Sequence, residues 1–215
     1  MRKKSFISKI MLLFAGQVFT AIGVTFMLQA NIGLEPWSVL QQGLNKTTGV
    51  SFGTAIMIVS TGIILMDLML GEHIGMGMIV SAVLCGPIID FFVWLNVIPQ
   101  QTEILPGIVF LLIGLELLAF GTYLGMRAEM GCGARDALMV AMAKRTNITV
   151  GLCRFITEAA AVLLGWLMGG QVGIGTILGA FGIGILIELN FRLLHFNAVE
   201  VQHEYIADTF KRLLR

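Results

Sequence analysis

A chain of 215 residues that is 57% hydrophobic and 13% charged, with a formal net charge of +1 and a mean hydropathy of +0.89, is not composed like a water-soluble globular domain. The charge balance gives no sign of a nucleic-acid partner. Cys85, Cys132 and Cys153 fall at neither disulfide nor metal-ligand spacing, and no phosphate loop, dinucleotide fingerprint or nucleophile–base signature occurs. We therefore expect neither an enzyme nor a cofactor-binding protein.

Taken in order, residues 1–9 form a basic N-terminus, with Arg2, Lys3, Lys4 and Lys9. Six apolar runs follow, each near the roughly 20 residues needed to cross a bilayer. They are Ile10 to Ala30, Phe52 to Leu70, Gly75 to Leu95, Leu105 to Met126, Val150 to Met168 and Gly173 to Leu194. The first is too long for a signal-peptide core and has a poor cleavage site, so it reads as a retained span. Between spans one and two, Pro36 to Lys46 is too short to cross and either lies flat on the outer surface or dips in as a half-helix; Pro36 suits a first helical position. Ala134 to Arg145 is its counterpart between spans four and five. Pro87 predicts a kink or break in span three, and Gly175 and Gly179 form a G-x-x-x-G step for close helix contact in span six. Residues 99–104 are an outer linker, and 196–215 read as an amphipathic helix on the inner membrane face.

One gapless offset of 98 positions aligns Gly33-Leu34-Glu35-Pro36-Trp37-Ser38 on Gly131-Cys132-Gly133-Ala134-Arg135-Asp136. The same offset pairs Gly23 with Gly121, Gly53 with Gly151, Gly75 with Gly173 and Gly86 with Gly184, and sets Asp90 against Glu188. A single offset held over about seventy residues marks an internal duplication. Three spans per copy is an odd number, so the second copy enters the membrane from the opposite side. The expected fold is all-α: six transmembrane helices as two inverted-topology repeats (10–98 and 105–195), each with an extra short helix. With both termini in the cytoplasm, twelve of the 14 lysines and arginines lie inside, Lys46 alone lies outside and Arg154 lies within a span. That bias sets the orientation of a multi-pass protein of the cytoplasmic membrane.

Ionisable residues inside spans are costly and point to function. Arg154 and Glu158 stand one helical turn apart in span five, with Glu158 roughly 14 Å deep at 1.5 Å per residue. Glu116 reaches a similar depth in span four. The first copy has Ile56 and Ser60 where the second has Arg154 and Glu158. Arg135 and Asp136 open the second short helix, whose N-terminal dipole favours anions; Glu35, Trp37 and Ser38 are the first-half positions related to that turn. The expected substrate-binding set is Arg135, Asp136, Arg154 and Glu158, with Glu116 at the wall. A structural Arg154–Glu158 pair between spans four and five is the competing reading. Asp90 and Glu188 read as capping or interfacial residues, and Asp67, Glu72 and His73 as solvated.

The runs Gly131-Cys-Gly-Ala-Arg-Asp-Ala-Leu-Met-Val, Arg154-Phe-Ile-Thr-Glu158, Gly165-Trp-Leu-Met-Gly-Gly170 and Gly173-Ile-Gly-Thr176, with Pro36-Trp37-Ser38-Val39-Leu40, resemble the YczE branch of the YczE/YitT-like bacterial membrane proteins. Ala134 stands where related sequences often carry Pro. The resemblance implies a polytopic protein of the bacterial cytoplasmic membrane. The residues themselves favour a small secondary transporter of a polar or anionic solute, with the bilayer and that solute as partners. The alternatives are a substrate-binding subunit working with energising subunits, or a non-transport accessory protein; a homodimer is also open.

Overall fold

The computed structural model describes residues 6–131 and 133–197, so the expected tail helix beyond Asn197 lies outside the described residues, as does Cys132. Every regular element described is helical: α1 (Phe6–Ala30), α2 (Pro36–Thr48), α3 (Phe52–Met69), α4 (Met76–Leu95), α5 (Ile104–Arg127), α6 (Ala134–Thr146), α7 (Val150–Leu167) and α8 (Ile174–Leu193). Six of them, all but α2 and α6, are long and apolar enough to cross a membrane. Their outward faces carry Phe14, Leu65, Trp94, Phe155, Trp166 and Phe181, all exposed. A continuous apolar exterior of this kind needs a bilayer around it.

Local chemistry sets the boundaries. Ser51 and Thr149 cap α3 and α7 by accepting from the backbone N–H of Thr54 and Leu152, and Pro36 at the first position of α2 lacks the N–H that would otherwise go unbonded. Spans 36–48, 52–69 and 76–95 recur 98 residues later as 134–146, 150–167 and 174–193. Left-handed backbone recurs at the same spacing, at Asn31 and Glu129, Gly33 and Gly131, Gly49 and Asn147, and Gly71 and Gly169.

At the centre, Gly16 lies on the backbone of Gly121, and Gly23 on that of Gly114. The rising and falling numbers make α1 and α5 antiparallel. Phe19–Phe120 and Phe26–Phe110 ring pairs, with centroids 5.0 and 5.3 Å apart, flank the crossing. Met27, Leu34, Val39, Ile89, Leu111 and Leu115 fill the adjoining core.

The short helices are placed by extended segments that precede them. Gly175 N–H donates to Ile32 O at 2.9 Å, and Leu34 N–H to Gln171 O at 3.4 Å. Residues 32–35 thus descend beside the start of α8, and α2 climbs back until Thr47 Oγ1 donates to Met168 O at 2.9 Å. In the second half Gly77 N–H donates to Met130 O at 2.7 Å. There α6 returns to the opposite end, where Arg145 donates to Leu70 O at 3.0 Å and Lys144 meets Glu72 at 2.7 Å. Both short helices start deep in the bundle and end at its surface; neither lies flat. Gly175 and Gly179 abut the backbone of Gly33 and Glu35, so this glycine step seats an extended segment where a helix was expected.

Three other expectations change. α4 runs through Pro87 unbroken, so the break is absent there. Asp67 is not solvated: it is fully buried, and neither carboxylate oxygen has a hydrogen-bond partner among the described residues. Glu72 is engaged by Lys144.

Candidate functional site

Because α2 and α6 enter from opposite ends, their N-termini meet in the middle. The turn preceding α2 presents Glu35, and the first turn of α6 presents Arg135. Glu35 is buried and caps α2: Oε2 accepts from Trp37 N–H at 3.2 Å, while Oε1 accepts from Ser38 N–H at 3.2 Å and from the Ser38 hydroxyl at 2.9 Å. Arg135 Nη1 reaches the same Oε1 at 3.2 Å, and its guanidinium lies over the Trp37 ring, 5.3 Å from the centroid. The Trp37 indole N–H is buried without an acceptor among the described residues. Ser38 thus acts through Glu35, steadying its carboxylate. On α6 the capping position is Gly133, which has no side chain to offer, and the acid of its first turn is Asp136.

Beside this junction is a cavity of about 280 Å³, lined by Glu35, Trp37, Arg135, Asp136, Arg154 and Glu158 together with Gln17, Thr20, Ser60, Ser81 and Thr122. Arg154 Nε donates to Glu158 Oε1 at 2.8 Å. Both residues are on α7, so the pair joins turns of one helix; it does not tie span four to span five. Asp136 is exposed toward the cavity yet otherwise enclosed by protein. Burial raises its carboxyl above the ordinary value, opposed by the positive charge of Arg154 and then Arg135. Three carboxylates therefore share the space with two guanidiniums, each guanidinium already engaged by a carboxylate. The cavity has one excess negative charge when all five groups are ionised, and none when Asp136 is protonated. The positive excess that two arginines suggested is absent.

Arg135, Asp136, Arg154 and Glu158 converge as expected, and Glu35 and Trp37 join them. Glu116 does not. It points away from the cavity and accepts a hydrogen bond from Asn190 Nδ2 at 2.8 Å, because its position on α5 faces α8. Gln17 and Ser81, hydrogen-bonded to each other at 2.8 Å, line the wall and went unnoticed, since an uncharged polar residue within an apolar run is a weak signal.

A second cavity of about 630 Å³ opens between α7 and α8. It is apolar, with Phe155, Val162, Trp166, Ile177 and Phe181 in its lining, and it shares Pro36, Arg154 and Glu158 with the polar one.

The helical bundle of the described residues, with its apolar exterior and buried polar centre, defines a polytopic integral membrane protein. Residues 7–192 match the family described as "Family of unknown function (DUF6198)", and the chain belongs to that family of YczE-like proteins. It is 31% identical over 179 residues to an uncharacterized protein of Haemophilus influenzae, covering 82% of this chain and 80% of the relative. It is 28% identical to the uncharacterized membrane protein YczE of Bacillus subtilis, covering 82% of each. With the uncharacterized protein YyaS of the same organism identity is 25%, over 81% of this chain and 88% of that one. No solved structure gives a significant match.

Proposed function

We propose that this protein is a small secondary transporter of the cytoplasmic membrane, built as two inverted repeats, both termini inside, with its solute site in the polar cavity between the two short helices. The observation that carries this reading is the gathering of Glu35, Arg135, Asp136, Arg154 and Glu158 around one cavity at the meeting of two half-helix N-termini. Such charges are expensive in a membrane, about 2.5–3.5 kcal/mol each on insertion scales, and one intrahelical pair would suffice for structure. Inverted repeats with discontinuous helices facing a central site are a recurrent transporter plan.

The cavity volume suits a small solute. With both arginines partnered and Asp136 left over, the favoured cargo is a small polar solute without net negative charge. Asp136 is then the proton acceptor whose charge alternates during transport. The Trp37 indole N–H is a spare donor for that solute.

Purified protein in liposomes under an imposed proton gradient tests this. A library of small polar metabolites should contain a solute that drives proton flux, read by a lumenal pH dye, without any added ATPase subunit. Arg154→Ala and Glu158→Gln should abolish that flux while the protein still folds in the membrane. Wild-type flux in the folded double variant, or no solute-dependent flux across the library, overturns the proposal.

A further inference from the structure

The two halves share their helix boundaries but pack them differently. In the first half α3 lies along α4, and Gly53 and Gly86 touch so closely that a Cβ on either would run into the backbone of the other. Asp90 locks this contact from α4. Its Oδ1 accepts from Gly53 N–H at 2.7 Å and its Oδ2 from the Ser51 hydroxyl, which fastens the carboxylate to the N-terminus of α3. In the second half the counterparts of all four residues are present but make no such contact. Among the described residues, Gly151 and Gly184 have no neighbouring atom within 4 Å of an added Cβ. Thr149 has the place of Ser51, capping α7. Glu188 has the place of Asp90, but it is exposed and bound to Arg192 on its own helix. Where α3 meets α4, α7 and α8 barely touch, and the 630 Å³ apolar cleft lies between them.

We propose that α7 and α8 carry a second, open latch: in another conformation of this chain Glu188 leaves Arg192, binds Gly151 N–H and the Thr149 hydroxyl, and brings Gly151 onto Gly184, while the Asp90 latch releases and α3 parts from α4. The inference rests on the repeat relation in the proposed function and names the moving contacts. It also gives the open space a use: a helix pair held apart has no need of two glycines aligned with the contact points of its twin. The latches sit at opposite ends. The α3–α4 latch lies near the end that carries the 96–101 loop, and the α7–α8 latch near the end where Arg145 meets Leu70. Closing one and opening the other moves the mouth of the polar cavity from one end to the other. Arg154 and Glu158 now border the open cleft; in the alternative state the positions bordering it are Ile56 and Ser60, so access changes while the charged pair becomes enclosed.

Spin-label distances in proteoliposomes test this, with one pair at Ile58 and Val83 across α3–α4 and an equivalent pair at Ile156 and Phe181 across α7–α8. All four side chains face outward or partly so. Two distances are expected at each pair, with the short population at one rising as that at the other falls. Asp90→Ala should raise the short α7–α8 population, and Glu188→Ala should lower it, each by roughly tenfold or more, the size expected for lost charge-assisted hydrogen bonds. Gly151→Val guards against a folding defect: nothing among the described residues crowds Gly151 in the present state, so that variant should fold and lose only the short α7–α8 distance. A single long α7–α8 distance in wild type and Asp90→Ala alike, or a short distance that survives Gly151→Val, overturns the latch. Solute flux with unchanging distances would leave the transport reading standing without the latch. Alternating distances without flux would do the reverse.

Discussion

Arg135 and Glu35 are separated by 100 positions in the chain and by 3.2 Å in space. The contact is off the repeat offset by two, because the residue matched to Glu35 is Gly133 and the residue matched to Arg135 is Trp37. One half supplies the acid and the ring, the other the guanidinium. The junction of the two short helices is therefore not made of equivalent parts.

Removing Glu35 should hurt more than removing Arg135. Glu35→Ala strips the α2 cap, costing about 1–2 kcal/mol, and leaves Arg135 without its buried partner. Arg135→Ala leaves the cap hydrogen bonds to Trp37 and Ser38 in place. Melting of the purified variants in detergent should rank wild type above Arg135→Ala above Glu35→Ala; a reversed order would show that the cap matters less than the ion pair.

Asp136 should make stability fall as pH rises. Its folded value lies above the ordinary 3.8, so the folded state holds the proton more tightly than the unfolded one. The stabilisation is complete below 3.8 and is lost as pH rises through the raised folded value. Asp136→Asn should flatten that slope and abolish proton-coupled flux. Melting curves across pH for both proteins check the first expectation, and an unchanged slope in Asp136→Asn would refute it.

Glycines should divide by what lies against them. A Cβ at Gly165 would be 2.5 Å from Leu40 N and Val39 C, both backbone atoms, so Gly165→Ala should cost roughly 1–3 kcal/mol through overpacking of α2 on α7. Gly62 has nothing within 4 Å, and Gly62→Ala in mid-helix should be neutral or slightly stabilising. Parallel melts decide; equal losses at both sites would mean that α2 yields easily.

Orientation is open to labelling. Cysteines placed at Gln100 and at Asn197 in a cysteine-free background should react with an impermeant maleimide from outside the cell only at Gln100. Reaction at Asn197 from outside would invert the orientation drawn from the basic residues.

The legible part of this fold was the part written in period and length. Six apolar runs gave six helices, and the 98-residue offset gave the short helices to within two residues at their ends. Arg135, Asp136, Arg154 and Glu158 were legible as intramembrane or near-membrane charges. What could not be read was direction. Glu116 and Glu158 have similar depth in their runs, yet one faces α8 and the other the cavity; α7 is amphipathic and α5 is not, so only Glu158 had a polar face to follow. Glu35 stood out only as a repeat position: its capping role and its bond to Arg135 cross between the halves, where an alignment of like with like cannot see. Asp67 was misplaced for a similar reason, since closeness to a helix end does not say which side is packed.

The unequal junction also bears on how such a chain must pair with itself. Two first halves brought together would set one Glu35 carboxylate against another with no guanidinium between them. Two second halves would oppose a pair of Arg135 side chains across uncapped helix ends. Only unlike halves bring Glu35 onto Arg135. On the proposed repeat relation, a chain cut between residues 99 and 104 should give fragments that complement one another and cannot replace each other.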